Sequence, residues 1–263
     1  MLTQQQRTFF DMFGFLVLRQ AFSPTETAAI SQQFDATLAM DRKGEAFAGT
    51  RRQAMMGFAE QNPELTKLIV DDRIYGAVEE LLGPDFVWIG SDGNLYVGDT
   101  QWHPDNPEPY RRVKVAFYLD PVSKDSGCLR VIPGSHLPPL HDRLKEQRPS
   151  PQAGESPFGV AASEIPSFPL ESQPGDVVVF NQSLWHASFG GKTGRRMFTF
   201  NFGAAPRSEA DFDNLRRTYQ RNLEQVSQNE YTRRQQVYTD VFLYSDSPRI
   251  KRMVAKPLEL GLV

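Results

Sequence analysis

The sequence predicts a mainly β fold with flanking α-helices, a sandwich or barrel rather than a βαβ sheet. Three observations predict it. From about residue 86 to 207 the chain is a succession of short β-branched and aromatic runs. Turns rich in glycine, aspartate and proline separate those runs at short intervals. Helical patterns lie before and after this stretch instead of alternating with its strands.

The elements follow in order. "TQQQRTFFDMFG" fits a short helix ending at Gly14, and "FLVLRQAF" is a β-type run. "SPTETAAISQQFDATLAM" opens with Ser23, Pro24 and Glu26, a cap, a first-turn proline and a capping-box acid. "NPELTKLIVDD" and "DRIYGAVEELLGP" read as two further helices, the second stopped at Gly83-Pro84. Residues 1–85 are therefore mostly helical, with one strand. In "RRVKVAFYLDP", Arg112, Lys114, Ala116 and Tyr118 share one face, and Val113, Val115, Phe117 and Leu119 the other. "GCLRVIPGSH", "GDVVVFNQSLWHAS" and "RRMFTFNFGA" supply more strands. Residues 137–170 are rich in proline and serine and read as a long insertion, a mobile lid. A helix begins at the Ser208 cap, opening a helical C-terminal extension over 208–263. We expect one domain over 1–263.

Composition narrows the function. Lys plus Arg is 29 against 32 for Asp plus Glu, a net charge of −3, without the basic bias of a nucleic-acid binder. Cys128 is the single cysteine, so neither an internal disulfide nor a cysteine-rich zinc site is available. No apolar run is long enough to cross a bilayer, and the start lacks the pattern of a secretion signal. We expect a cytoplasmic protein acting on a small molecule, with no nucleic-acid or membrane partner.

The chemistry concentrates in two segments. The chain has four histidines. In "QWHPDNP", His103 and Asp105 are two apart and share a strand face, and Pro104 between them suits a strand end. His186, at the end of the run through "DVVVF", is the third candidate ligand. Two histidines and a carboxylate on one face of a metal are typical of non-haem Fe(II) oxygenases, though zinc also accepts them. Arg195 and Arg196 follow His186 across a glycine turn. A dicarboxylate that chelates iron through its 2-oxo acid end leaves a distal carboxylate for an arginine fork. Arg195 is favoured because Thr199 lies on its strand face and offers a hydroxyl donor, whereas Phe198 and Phe200 lie on the other face as packing residues. Rival readings are a cupin-type hydrolase or isomerase with zinc or manganese, which has no need of Arg195, and a non-catalytic binding protein on the same fold.

"HPD" at 103–105, "SGCLRVIPGSH" at 126–136, "QPGDVVVFNQSLWHAS" at 173–188 and "RRMFTFNF" at 195–202 resemble the phytanoyl-CoA dioxygenase family of Fe(II)/2-oxoglutarate oxygenases. "GFLVLRQAFSPTE" is also similar to that family's opening. The resemblance implies a double-stranded β-helix, the jelly-roll or cupin-like core, with flanking helices. It implies Fe(II) held by His103, Asp105 and His186, 2-oxoglutarate as cosubstrate bound by the arginine after the second histidine, and dioxygen as oxidant. The turn between His186 and that arginine is shorter than in familiar members. Gln101 resembles a position that touches 2-oxoglutarate. Related halogenases have a small residue in place of the metal carboxylate, whereas Asp105 is present here. The expected reaction oxidises an unactivated C–H bond, with hydroxylation as the default end and a natural-product tailoring step as the favoured role.

Other residues carry plainer expectations. His136 in "PGSH" reads as a turn residue capping its own loop, and His141 as a solvated loop histidine. Cys128, Tyr96 and Phe117 read as core. Trp102 and Trp185 point away from the metal into the other layer. Arg112 and Lys114 are either solvated or cavity-lining.

Overall fold

The computed structural model describes residues 1–147 and 159–263. Helix α1 (Gln4–Phe13) is closed at its start by a Thr3–Gln6 capping box and at its end by Gly14, whose φ of 84° is a left-handed conformation that favours glycine. Strand β1 (Phe15–Leu18) follows. The Ser23–Glu26 capping box and Pro24 open α2 (Pro24–Asp41) as expected. Helices α3 (Pro63–Ile69) and α4 (Asp72–Leu82) complete the N-terminal layer. A strand that the sequence did not announce, β2 (Gln53–Met56), lies between α2 and α3. It has no β-branched alternation, and its strand state comes from pairing with a later neighbour.

The β region contains β3 (Val87–Tyr96), β4 (Thr100–His103), β5 (Arg112–Tyr118), β6 (Leu129–Val131), β7 (Phe168–Leu170), β8 (Val177–Asn181), β9 (His186–Ser188) and β10 (Arg195–Gly203). Two antiparallel sheets result, in the orders β1-β8-β5-β10-β3-β2 and β4-β9-β6-β7. The eight strands β3 to β10 divide equally between the sheets as a jelly roll, and β1 and β2 extend the edges of the larger one. The C-terminal segment forms α6 (Glu209–Ser227), capped by Ser208, then α7 (Asp240–Leu243) and α8 (Pro248–Glu259). No described helix is long and apolar enough to cross a membrane.

The expected insertion at 137–170 is partly woven into the fold. It carries α5 (Leu140–Glu146), a 3-10 turn at Ala162–Glu164, and β7, which pairs with β6. Part of the expected lid, residues 148–158, lies outside the described residues.

The larger sheet separates two environments. One face packs against helices from both ends of the chain, in a core that joins Phe34 and Leu38 of α2 to Phe198, Phe200 and Phe202 of β10 and Val254 of α8. There the rings of Phe117 and Phe198 stack 4.4 Å apart. The other face looks toward the smaller sheet. Tyr118, Phe180 and Met197 meet Cys128, Leu129 and Val131 there. This second interior is not filled, and the gap is the site.

Candidate active site

A cavity of about 320 Å³ opens between the sheets, with α6 across one side. The smaller sheet supplies the histidines. His103 and His186 are direct register partners on β4 and β9, and their rings lie 4.4 Å apart. Each Nδ1 faces a backbone carbonyl, Gln101 O at 2.7 Å and Leu184 O at 2.8 Å. Each ring therefore donates from Nδ1 and keeps the lone pair of Nε2 for the cavity. Asp105 stands between them, with Oδ1 at 3.6 Å from His103 Nε2 and Oδ2 at 3.7 Å from His186 Nε2. The three donor atoms all lie within 4.8 Å of one another.

Electrostatics prepare these groups for a cation. Burial pushes the His186 pKa down to about 4, so the imidazole is neutral at physiological pH. Burial alone would push the Asp105 carboxyl up, but Lys114 above all, then His186 and His103, hold it well below the ordinary carboxylate range. Lys114 Nζ lies 2.8 Å from Asp105 Oδ2, an ion pair without hydrogen-bond alignment, because that oxygen makes no hydrogen bond. Two imidazoles that turn Nε2 to the cavity and an ionised carboxylate whose Oδ2 makes no hydrogen bond among the described residues fit a divalent metal.

Arg195 begins β10 and is only 2% exposed. Its Nη2 donates to Ser188 Oγ at 3.1 Å, while Nε and Nη1 have no partner among the described residues. The guanidinium threads between two glycines. A Cβ at Gly127 would stand 1.7 Å from Arg195 Nη1, and one at Gly191 1.5 Å from it. Gly127 also has φ of 87°, so glycine is required there twice over. Arg196 points the other way and is spent on Asp120 and Asp35. Strand alternation thus separates the neighbours as the sequence suggested.

Several expectations need correction. Gln101 does not share the wall with His103. β4 pairs Thr100 with Ser188 and His103 with His186, so an irregularity between them absorbs one residue and breaks the alternation. Thr100 faces the cavity, and the Gln101 side chain is exposed. Its contribution to the site is its carbonyl. Thr199 does line the cavity, but its hydroxyl donates to Asp92 Oδ2, so the proton expected for a cosubstrate is already used. His141 is not solvated: it is buried, with Nδ1 at 3.0 Å from Ser135 O. His136 packs on the end of α1, near Gly14 and Asp11 O, rather than capping its own loop. Arg112 and Lys114 line the cavity. Trp102 and Trp185 pack together in the layer away from the metal ligands, and Cys128, Phe117 and most of Tyr96 are core as expected.

Sequence reasoning did not single out Ser188, Asp92 and Asn201 of the wall; the α6 residues Thr218, Arg221 and Asn222 lie in the basic run "NLRRTYQRN", which a solvated helix face explains as well as a pocket mouth. Ser188 was within reach, since it lies two residues beyond His186 on one strand. The basic run alone could not decide between the two, because only tertiary packing lays α6 across the opening.

Comparison with known proteins agrees with this architecture. The family model described as phytanoyl-CoA dioxygenase matches residues 10–198. A 2-aminoethylphosphonate dioxygenase from uncultured bacterium HF130_AEPn_1 is 24% identical over 195 residues, which cover 69% of this chain and 71% of that protein. The structure of HygX from Streptomyces hygroscopicus, with nickel and 2-oxoglutarate bound, is similar with a TM-score of 0.63 at 20% identity, over 80% of this chain and 90% of that one. The carbocyclase SnoK from nogalamycin biosynthesis, non-haem and α-ketoglutarate-dependent, gives a TM-score of 0.59 at 18% identity, over 78% and 85% of the two chains.

Proposed function

The chain belongs to the phytanoyl-CoA dioxygenase family and is a non-haem iron, 2-oxoglutarate-dependent dioxygenase; from that premise we propose that His103, Asp105 and His186 hold the Fe(II), that Arg195 anchors the distal carboxylate of 2-oxoglutarate, and that the enzyme hydroxylates an unactivated C–H bond of a small organic molecule. Iron, 2-oxoglutarate and dioxygen together supply the oxidising power, with succinate and carbon dioxide released.

The protein's part is placement. The Gln101 and Leu184 carbonyls fix the two imidazoles with Nε2 inward. Lys114 keeps the Asp105 carboxyl ionised and restrains it from the side. Ser188 accepts from Arg195 and donates to Gly127 O at 2.9 Å, which locks the guanidinium's approach. Asn201 and Gln182 join Thr199 and Asp92 in a hydrogen-bonded wall. A cavity of about 320 Å³ is of the size that small-molecule sites have.

The observation that carries this reading is Arg195: a buried guanidinium with two unpartnered nitrogens, in the same cavity as the His-Asp-His cluster. It has no carboxylate within 4 Å among the described residues, and a bound dicarboxylate would supply one. The test is anaerobic titration of the Fe(II)-loaded protein with 2-oxoglutarate, following the visible charge-transfer band. Arg195→Ala should lose roughly two to three and a half orders of magnitude in affinity, the cost of about 3–5 kcal/mol for breaking a buried ion pair. It should retain iron, whereas His103→Ala should lose both iron and turnover. Unchanged titration of Arg195→Ala would remove the anchor, and full iron stoichiometry in His103→Ala would remove the metal assignment.

A further inference from the structure

Arg195 is not the only buried guanidinium in the cavity that lacks a counterion. Arg112, at the other end of the site, is 4% exposed and lines the same cavity. Among the described residues its Nη1 donates only to neutral groups on α6, Asn214 Oδ1 at 3.2 Å and Thr218 Oγ1 at 3.0 Å, and its Nε has no partner. No carboxylate lies within 4 Å of it among the described residues. Arg221, one turn along α6 from Thr218, lines the cavity at its exposed side and makes no ion pair among the described residues either.

Burying a cation without a counterion is costly, so an isolated Arg112 needs a reason. Burial above all, with a smaller contribution from the nearby Arg221, lowers its pKa to about 10, so the group stays charged at physiological pH. The cavity wall as a whole holds five basic side chains against two carboxylates, Asp92 and Asp105. Lys114 is taken by Asp105. 2-Oxoglutarate at Arg195 would answer that end alone: Arg112 pairs in register with Gly203, at the far end of β10 from Arg195.

We propose that the substrate carries an oxyanion, a carboxylate or a phosphonate, which Arg112 receives from inside the cavity and Arg221 meets at its mouth. The proposal rests on the reading above, in which Arg195 is reserved for 2-oxoglutarate. Arg112 lies two residues before Lys114 on one face of β5, a step of about 7 Å. Lys114 touches Asp105, so the oxyanion sits a short distance from the metal ligands. That geometry suits a small organic acid oxidised close to its charged group, with no long tail between the anchor and the oxidised carbon.

The experiment is calorimetric titration of the full chain loaded with Fe(II) and 2-oxoglutarate, without oxygen, using methylphosphonate, propionate and methylammonium as probes. The 2-oxoglutarate charge-transfer band is followed in parallel. Expected is binding of at least one anion, none of methylammonium, and an intact band. Arg112→Gln should weaken the anion roughly ten- to hundredfold, Arg221→Ala should weaken it less, and Arg216→Ala, elsewhere on α6, should change nothing. The preferred anion then identifies the substrate as a carboxylate or a phosphonate. If neither anion binds to protein that shows the band, or if the anion bleaches the band by displacing 2-oxoglutarate, the proposal falls. It also falls if Arg221→Ala and a folded Arg112→Gln both titrate like the parent. Failure of the band to form in the parent would instead strike at the reading of Arg195, and anion binding to the metal-free protein would still test Arg112.

Discussion

The two faces of β10 do different work. Arg195, Met197, Thr199 and Asn201 line the cavity, where polar atoms are left without partners or joined in a chain of hydrogen bonds. Phe198, Phe200 and Phe202 on the other face are fully buried against helices from both ends of the chain. One face is under-satisfied and open to ligands, and the other is closed. The difference teaches how a single strand can carry a costly polar site: the aromatic layer behind it holds the backbone in place, and alternation keeps the two roles from mixing.

The strongest attack on this division is Phe200→Ala. Phe200 packs on Trp88, Phe117 and Phe198. Its truncation should lower the unfolding free energy by about 3–5 kcal/mol, measured by urea denaturation, while 2-oxoglutarate affinity per folded molecule stays unchanged. A parallel loss of affinity would mean that the faces are coupled. A milder probe is Arg196→Ala, which removes the half-exposed pairs with Asp120 and Asp35. It should cost roughly 0–1 kcal/mol and leave the 2-oxoglutarate titration as it is in the parent. A shift of the titration comparable to that of Arg195→Ala would put the wrong arginine in the cavity.

The smallest effect lies in the helical layer and appears only in acid. The Arg73 guanidinium, with Ser23, holds the Glu26 carboxyl at about 2, below its ordinary value of 4.5. A carboxyl depressed by folding stabilises above its unfolded pKa, and that contribution is lost as pH falls through the folded value. Glu26→Gln should therefore flatten the part of the acid-unfolding profile between pH 4.5 and about 2. A profile that superimposes on the parent's would show the Arg73 contact to be without consequence for stability.

Much of this was legible in the sequence because alternation and capping are local signals. The Ser23 and Ser208 caps and the two faces of "RRVKVAFYLDP" could be read directly. Alternation says which residues share a face, but not whether that face meets water or a cavity, so Arg112 and Lys114 stayed undecided until the second sheet was in place. The misplacement of Gln101 has a related cause. An irregularity in β4 shifts parity by one residue, and it arises from pairing with β9, a strand far along the chain. β2 escaped for the same reason, since only β3 makes "QAMM" a strand. The insertion around His141 predicts a solvated side chain, yet α5 folds back over Pro107 and buries it.

The strand order carries a consequence for biosynthesis. β1 lies at one edge of the larger sheet and, among the described residues, pairs only with β8, Phe15 opposite Phe180. Strand β3 pairs with the earlier β2 on one side, and its other side waits likewise for β10. A ribosome delivers β1, and the β10-facing side of β3, long before the strands that cover them exist, so the nascent chain carries unsatisfied strand edges through much of its synthesis. The helices α1 to α4 emerge early and can form from local contacts, giving the first apolar strands something to lie against until the C-terminal half arrives.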